Sequence, residues 1–394
     1  NLNLKIASLD SGIPLDSFRR LSHEDLDDTN KFIFRWDCVT NDSCVSTDSV
    51  HIDSLNDLWG HGTYVTGIVA AEVNNNVGIS GVIWFCKVLV IKAVNNSSGA
   101  TKGWKLTNAI RKAVADGARV INLSIRGYPC TTSTCVDSTF GDQFMEAAIA
   151  YAESNQVVIC AAVGNEGPDT LIGFPAAFAS WGTDPNHLMG YRNVIAVGGT
   201  KWDDGLYSRS SVSNSTKKVT VSAPGHWIFS TYRLGGYTWG AGTSAAAPHV
   251  TGVAGLVRSQ FPDSSAAWVR QVIETTSDKV WQDPTKAAYA NNDTIYHDWH
   301  KKYGFGRVNA YRAVTLKTLK APLLDSAKVV RDAQDTTSWI KLFWRDISAD
   351  EDSFKIYRTV FSTPYQFSKV ASTAKNVITY SDPKNNLMGS ETYI

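Results

Sequence analysis

Lys5-Ile6-Ala7-Ser8-Leu9-Asp10-Ser11-Gly12 is the stretch on which the fold turns. A short apolar run ends on a carboxylate and a glycine turn, the pattern of a strand buried on both faces of a parallel sheet. Similar β-branched apolar runs recur at 88–91, 120–123, 157–163 and 194–197. Between them, residues 104–115 repeat apolar side chains at Leu106, Ala109, Ile110, Ala113 and Val114, a helical face. Residues 144–152 do the same, with Glu146 and Glu153 expected on the opposite side. Strand, helix, strand at this spacing implies βαβ units and an α/β fold, a doubly wound, mostly parallel sheet with helices on both faces. Ligands in such folds sit at the carboxyl ends of strands, where Asp10, Ser124 and Asn165 fall. Residues 244–259 are apolar almost all round, which predicts a central buried helix, and a second helix follows at 266–275.

That central helix opens as Gly242-Thr243-Ser244-Ala245-Ala246-Ala247-Pro248-His249. A serine hydroxyl is a poor nucleophile at its own pKa, so it needs a base, and the base needs an orienting carboxylate. Trp59-Gly60-His61-Gly62-Thr63 opens another helix and offers the base; Asp10 offers the carboxylate. Taken singly, each has a plainer reading. A serine before a helix is commonly an N-cap, an aspartate at a strand end commonly starts a turn, and Gly164-Asn165-Glu166-Gly167-Pro168 is a good turn sequence. A metal role for His61 fails because no second histidine lies at helical spacing. The chain order Asp10, His61, Ser244 is that of subtilisin, distinct from chymotrypsin and the α/β-hydrolases.

Four motifs together make the chain resemble a subtilisin-like serine protease, a subtilase: Leu9-Asp10-Ser11-Gly12, His61-Gly62-Thr63, Gly164-Asn165-Glu166-Gly167-Pro168, and Gly242-Thr243-Ser244 with Pro248-His249. The resemblance runs from about residue 4 to residue 314 and leaves the last fifth of the chain uncovered. It implies that Ser244 attacks the scissile carbonyl, His61 relays the proton, Asp10 orients His61, and Asn165 with the Ser244 backbone N–H forms an oxyanion hole. It also implies that Ser124, Ile125, Arg126 and Gly127 face Ala162, Val163 and Gly164 across the primary specificity pocket. Ser98, Gly99 and Ala100 would pair with the other edge of an extended substrate. Arg126 departs from the small residue usual at its position, so it is expected either to meet an acidic substrate residue or to reach into solvent. His249 is expected to be structural. No cofactor is implied for catalysis. A structural Ca²⁺ is implied by the loop 73–79, with Asp25, Val73, Asn75, Val77 and Ile79 as oxygen ligands. The loop carries one extra residue, Glu72, and the family's N-terminal ligand has no counterpart.

Composition narrows the setting. A net charge of +1 with 19% charged residues offers no basic field for nucleic acid. No apolar run approaches the roughly 20 residues that span a bilayer. Six cysteines favour an oxidising compartment. Cys38 with Cys44 and Cys130 with Cys135 each bracket a small polar loop and are expected to form disulfides, whereas Cys86 and Cys160 lie in apolar segments and are expected to be buried thiols. There is neither an initiating Met nor a signal peptide, so the sequence is expected to be a processed form or a fragment, shortened at both ends.

After about residue 321 the character changes to short strands at 339–344, 354–358, 367–370 and 377–380 separated by polar turns, which resembles a fibronectin type III-like sandwich, incomplete at its end. The expected division is therefore 1–320, a peptidase domain, and 321–394, a partial β-sandwich. The expected activity is that of a secreted, monomeric serine endopeptidase acting on extended peptide or protein, with no nucleic acid or membrane partner. Two rivals make different demands. A binding protein built on a dead protease does not require an intact triad, and a serine esterase of α/β-hydrolase type requires a Gly-x-Ser-x-Gly elbow, which the sequence lacks.

Overall fold

The computed structural model describes residues 3–18, 20–40, 44–46, 52–97, 99, 101–127, 143–167, 172–180, 190–212, 218–282, 295–296 and 299–316, and the backbone of six strands beyond. The chain divides into two units, Asn1–Val314 and Thr315–Ile394. In the first unit the strands are β1 (Lys5–Asp10), β2 (Phe32–Asp37), β3 (Val45–Ser46), β4 (Lys87–Lys92), β5 (Val120–Leu123), β6 (Val158–Ala162), β7 (Val194–Thr200), β8 (Val221–Pro224), β9 (Ile228–Tyr232), β10 (Gly236–Gly240), β11 (Ile295–Tyr296) and β12 (Trp299–His300). Its helices are α1 (His61–Ala70), α2 (Gly103–Ala115), α3 (Gln143–Ser154), α4 (Thr243–Gln260), α5 (Ala266–Thr276) and α6 (Ala310–Val314).

Eight strands form one sheet in the order β3-β2-β4-β1-β5-β6-β7-β8. Every neighbour pair is parallel except β2 with β3. The chain leaves β1 towards β4 on one side and later continues from β5 on the other, so β1 is the switch point of the sheet. Alternation along β1 assigns the layers. Ala7 and Leu9 join the cluster that holds Leu106, Ile110, Met145 and Ile149 of α2 and α3. Ser8 shares a hydroxyl–hydroxyl hydrogen bond of 2.8 Å with Thr66 of α1, and Ile6 reaches Gly255 of α4. A strand sandwiched this way is buried on both faces, and the hydroxyl on its α1 side is satisfied by Thr66.

Helix α3 departs from expectation on one side chain. Glu146 is 5% exposed, not solvated, because its carboxylate accepts from the Tyr191 hydroxyl at 3.1 Å, while Phe144 is 62% exposed. Helix α4 is buried nearly all round, and even Arg258 is 1% exposed. Cys38 and Cys44 form a disulfide; Cys86 and Cys160 are buried thiols that burial pushes up to about 11 and about 12. Cys130 and Cys135 lie outside the described residues. Among the described residues no helix is long and apolar enough to cross a membrane.

In the second unit β13 (Leu323–Arg331), β14 (Ser338–Arg345), β15 (Ser353–Val360), β16 (Ser368–Ala374), β17 (Thr379–Asp382) and β18 (Glu391–Tyr393) form two three-stranded antiparallel sheets, ordered β13-β14-β17 and β16-β15-β18.

Candidate active site

Asp10 ends β1 at the switch point and is 1% exposed. Its Oδ1 accepts from His61 Nδ1 at 2.8 Å, from the Ser11 backbone N–H at 2.8 Å and from Ser11 Oγ at 3.3 Å. His61 is the first residue of α1, and the Gly62 N–H donates to Ser11 Oγ at 2.8 Å. The strand turn and the helix start touch backbone to backbone. A Cβ added at Gly62 would lie 2.3 Å from the Gly12 carbonyl oxygen, so the glycine after His61 is required by contact.

Asp57, which the sequence reading did not single out, organises this helix start. It is 2% exposed; Oδ1 accepts from Gly60 N–H at 2.7 Å and Trp59 N–H at 3.1 Å, and Oδ2 from Thr63 N–H at 2.8 Å and Thr63 Oγ at 2.6 Å. A carboxylate there satisfies the otherwise unpaired N–H groups and complements the helix dipole. The available signal was an acidic residue three positions ahead of Gly60. Burial pulls the His61 imidazole down, but the Asp10 charge, the Asp10 hydrogen bond and the Asp57 charge together hold its pKa above the usual value.

Ser244 is the second residue of α4. Pro248, four residues on, has no N–H for the Ser244 carbonyl, and Ser124 Oγ donates to that oxygen instead at 2.8 Å. The motif proline thus leaves an acceptor that ties α4 to the end of β5. His249 is partly buried and bonds within its own helix, its Nδ1 2.8 Å from the Ala245 carbonyl oxygen. Thr243 joins the helix to the segment after β6: its N–H and Oγ1 donate to Asn165 Oδ1 at 2.8 and 3.1 Å. With Oδ1 so held, the amide nitrogen lies towards Ser244. A Cβ at Gly242 would be 3.0 Å from Ser244 Oγ and 3.2 Å from Asn165 Nδ2.

A cleft of about 280 Å³ brings His61, Ser244 and Asn165 together. Gly99, Ser124, Ile125, Arg126, Ala162 and Gly164 line it too, as do Trp59, Val94 and Thr243, which the sequence reading did not include. Gly127 and Val163 are not in the lining; Gly127 pairs with Phe174 and Val163 is fully buried. Ser98 and Ala100 lie outside the described residues. His61 and Ser244 share the cleft without a direct hydrogen bond; such bonds commonly tighten only in the Michaelis complex. The set places a hydroxyl, a histidine with an oriented ring, and an amide N–H donor around one space, which suits acyl transfer.

Arg126 is exposed, and it has an acidic partner within the chain itself. It forms an ion pair with Glu166 across the cleft mouth, Nε donating to Oε2 at 3.0 Å, and the same oxygen accepts from the Asn165 backbone N–H at 3.0 Å. Two loops from neighbouring strands met here, which no spacing along the chain announces.

Asp25 is fully buried away from the cleft. Its Oδ1 accepts from Asn75 Nδ2 at 2.8 Å, and Oδ2 from Ile79 N–H at 2.8 Å and the Tyr237 hydroxyl at 3.0 Å. Burial and the Asp25 carboxylate push the Tyr237 phenol up, so it remains a donor. The loop wraps tightly, with Asn74 and Asn76 at φ 62° and Gly78 at φ 49°. Among the described residues no group of three His, Cys, Asp or Glu side chains is placed to hold a metal.

The model of the subtilase family matches residues 2–306. Thermitase of Thermoactinomyces vulgaris is 36% identical over 311 residues, covering 79% of this chain and 88% of that protein. Subtilisin DY of Bacillus licheniformis is 32% identical over 278 residues, 70% of this chain and 84% of that protein. The solved structure of sphericase superposes with a TM-score of 0.60 at 25% identity, covering 78% of this chain and 91% of that one. With the subtilisin-like sheet and the shared cleft, these matches establish that the chain belongs to the subtilase family, whose members are serine endopeptidases.

Proposed function

We propose that this chain is a secreted serine endopeptidase in which Ser244, His61 and Asp10 form the catalytic triad and Asn165 the oxyanion hole. The observation that carries the reading is the 2.8 Å hydrogen bond from His61 Nδ1 to Asp10, made beside a cleft that also holds Ser244 and Asn165. Ser244 Oγ attacks the scissile carbonyl carbon while His61 Nε2 takes its proton; Asp10 keeps the ring in the tautomer that leaves Nε2 free and offsets the imidazolium charge. The carbonyl oxygen, now negative, receives hydrogen bonds from Asn165 Nδ2 and the Ser244 backbone N–H. As the C–N bond breaks, His61 returns the proton to the leaving amine, and water repeats the sequence on the ester. Backbone at Ser124, Ile125 and Arg126 receives the substrate as added β-structure, Ala162 and Gly164 wall the pocket, and Gly99 marks the opposite edge.

The first test is hydrolysis of denatured casein in the presence of a chelator, blocked by a peptidyl phosphonate; no hydrolysis by the folded protein counts against the reading. Asn165→Ala is expected to lower kcat by roughly 10²–10³-fold with KM little changed, the scale known for this donor in subtilisin. A loss below about 5-fold, near the worth of one ordinary neutral hydrogen bond, would remove Asn165 from the oxyanion hole. Secretion is supported by the Cys38–Cys44 disulfide. For the second unit a fibronectin type III-like module is the reading that its two antiparallel sheets support.

The Asp25 cluster fits a structural Ca²⁺. A buried carboxylate faces an Asn75 amide whose O and N are interchangeable by rotation about its last torsion, so NH₂ donates to the carboxylate without an ion and Oδ1 can join it around one. Asp25, the Asn75 amide and carbonyls of Val73, Val77 and Ile79 would hold the ion, which supplies charge balance and loop rigidity, not chemistry. Calcium at 100-fold excess over Kd is expected to stabilise the fold by about 2.7 kcal/mol. Identical melting curves in excess calcium and in EDTA would dispose of the site.

A further inference from the structure

The side chain packed on His61 is an aromatic one. The Trp59 indole is stacked on the imidazole, ring centroids 4.7 Å apart and planes 21° apart. Three contacts fix it there. Its backbone N–H donates to Asp57 Oδ1 at 3.1 Å, its carbonyl accepts from the Tyr232 hydroxyl at 3.4 Å, and its ring edge lies against Gly99, where a Cβ would come within 2.6 Å. Gly60, between the two rings, lies against Tyr232, whose ring a Cβ would approach to 2.4 Å. Trp59 is nonetheless 37% exposed and lines the cleft, so it is not a core residue held by burial alone.

We propose that Trp59 is a positioning residue for this reaction: its π face holds the His61 ring in plane and stabilises the imidazolium formed when Ser244 gives up its proton. The inference rests on the triad reading above. Asp10 takes the Nδ1 edge and the indole takes one face, which leaves Nε2 to the cleft. A cation over an indole face is attracted by the ring quadrupole, and a neutral imidazole is attracted much less. The interaction therefore strengthens as charge develops, and it lowers the barrier more than it tightens substrate binding. The charged and titratable groups around the imidazole are Asp10 from β1, Asp57 from the segment ahead of α1, the Tyr232 phenol from β9 against Gly60, and, across the cleft, Arg126 paired with Glu166. None of these changes in a Trp59 variant.

The test uses Trp59→Phe, Trp59→Leu and Trp59→Ala, each assayed with one peptide p-nitroanilide from pH 5 to 9. Trp59→Phe is expected to retain activity within a few-fold. Trp59→Leu, which keeps apolar bulk without a π face, is expected to lose about 5- to 30-fold in kcat with KM within about twofold. Its acid limb of kcat/KM is expected to move down by about half a unit to one unit. A KM change with kcat and the acid limb unmoved would make Trp59 a plain wall and overturn the inference, as would equal behaviour of Phe and Leu. If Trp59→Ala does not fold, the Phe and Leu pair still decides. Phosphonate labelling of each variant at Ser244 separates the two levels: no labelling of wild type fails the triad reading, while normal labelling with an unmoved acid limb fails this inference alone.

Discussion

Ser244→Ala is expected to lower kcat on the order of 10⁶-fold, the scale known for loss of the nucleophile in subtilisin, and to leave the fold intact. Nothing in the packing depends on the hydroxyl: the contact that ties this residue to β5 is its backbone carbonyl, held by Ser124 Oγ at 2.8 Å. The melting temperature is therefore expected to match wild type. The residual activity belongs to Asn165 and the binding cleft, which is why further loss of His61 in the same chain should cost little more. Casein cleavage by the alanine variant at more than about a thousandth of the wild-type rate would contradict the assignment, being far above the residue left when a triad acts as a unit.

Asp10→Asn is expected to cost about 10⁴-fold in kcat while preserving the shape of the site. The replacement keeps a hydrogen-bonding group beside His61 Nδ1 but removes the charge and no longer dictates the tautomer. The pH profile adds a second reading. In the wild-type chain the carboxylates outweigh burial and hold the imidazole above its ordinary value of about 6.5, so kcat/KM should rise through an apparent pKa above that value. Removing the Asp10 charge leaves burial to dominate, and the acid limb should move to lower pH. An acid limb that stays in place in Asp10→Asn would mean that another group titrates.

The parts legible in the sequence were those carried by local pattern. Apolar runs marked β1, β4, β5, β6 and β7 but not β2, β3 or β8 at the two sides of the sheet, and β1 reads as buried on both faces because it is, with Ala7 and Leu9 towards α2 and α3 and Ser8 towards α1. Ser244, His61 and Asp10 were legible because each stands at an element boundary next to glycines that backbone contact demands, such as Gly62 against Gly12. What escaped depends on segments remote in sequence. Glu146 looked solvated on a helical wheel, yet Tyr191 is its hydrogen-bond donor. Arg126 looked like a rim cation for substrate or solvent until Glu166, from another loop, paired with it. Trp59 and Asp57 sit within four residues of His61, but neither an aromatic two positions before a histidine nor an acidic residue three positions ahead of Gly60 announces by itself that it stacks on the base or caps its helix.

Reaction of the folded protein with a peptidyl phosphonate, followed by mass mapping of the adduct, tests the central claim most directly. One phosphonyl group on the peptide that contains Ser244, absent in Ser244→Ala and slowed in Asp10→Asn, is the predicted result. Peptidase activity that persists without an adduct, or an adduct confined to another residue, would contradict it.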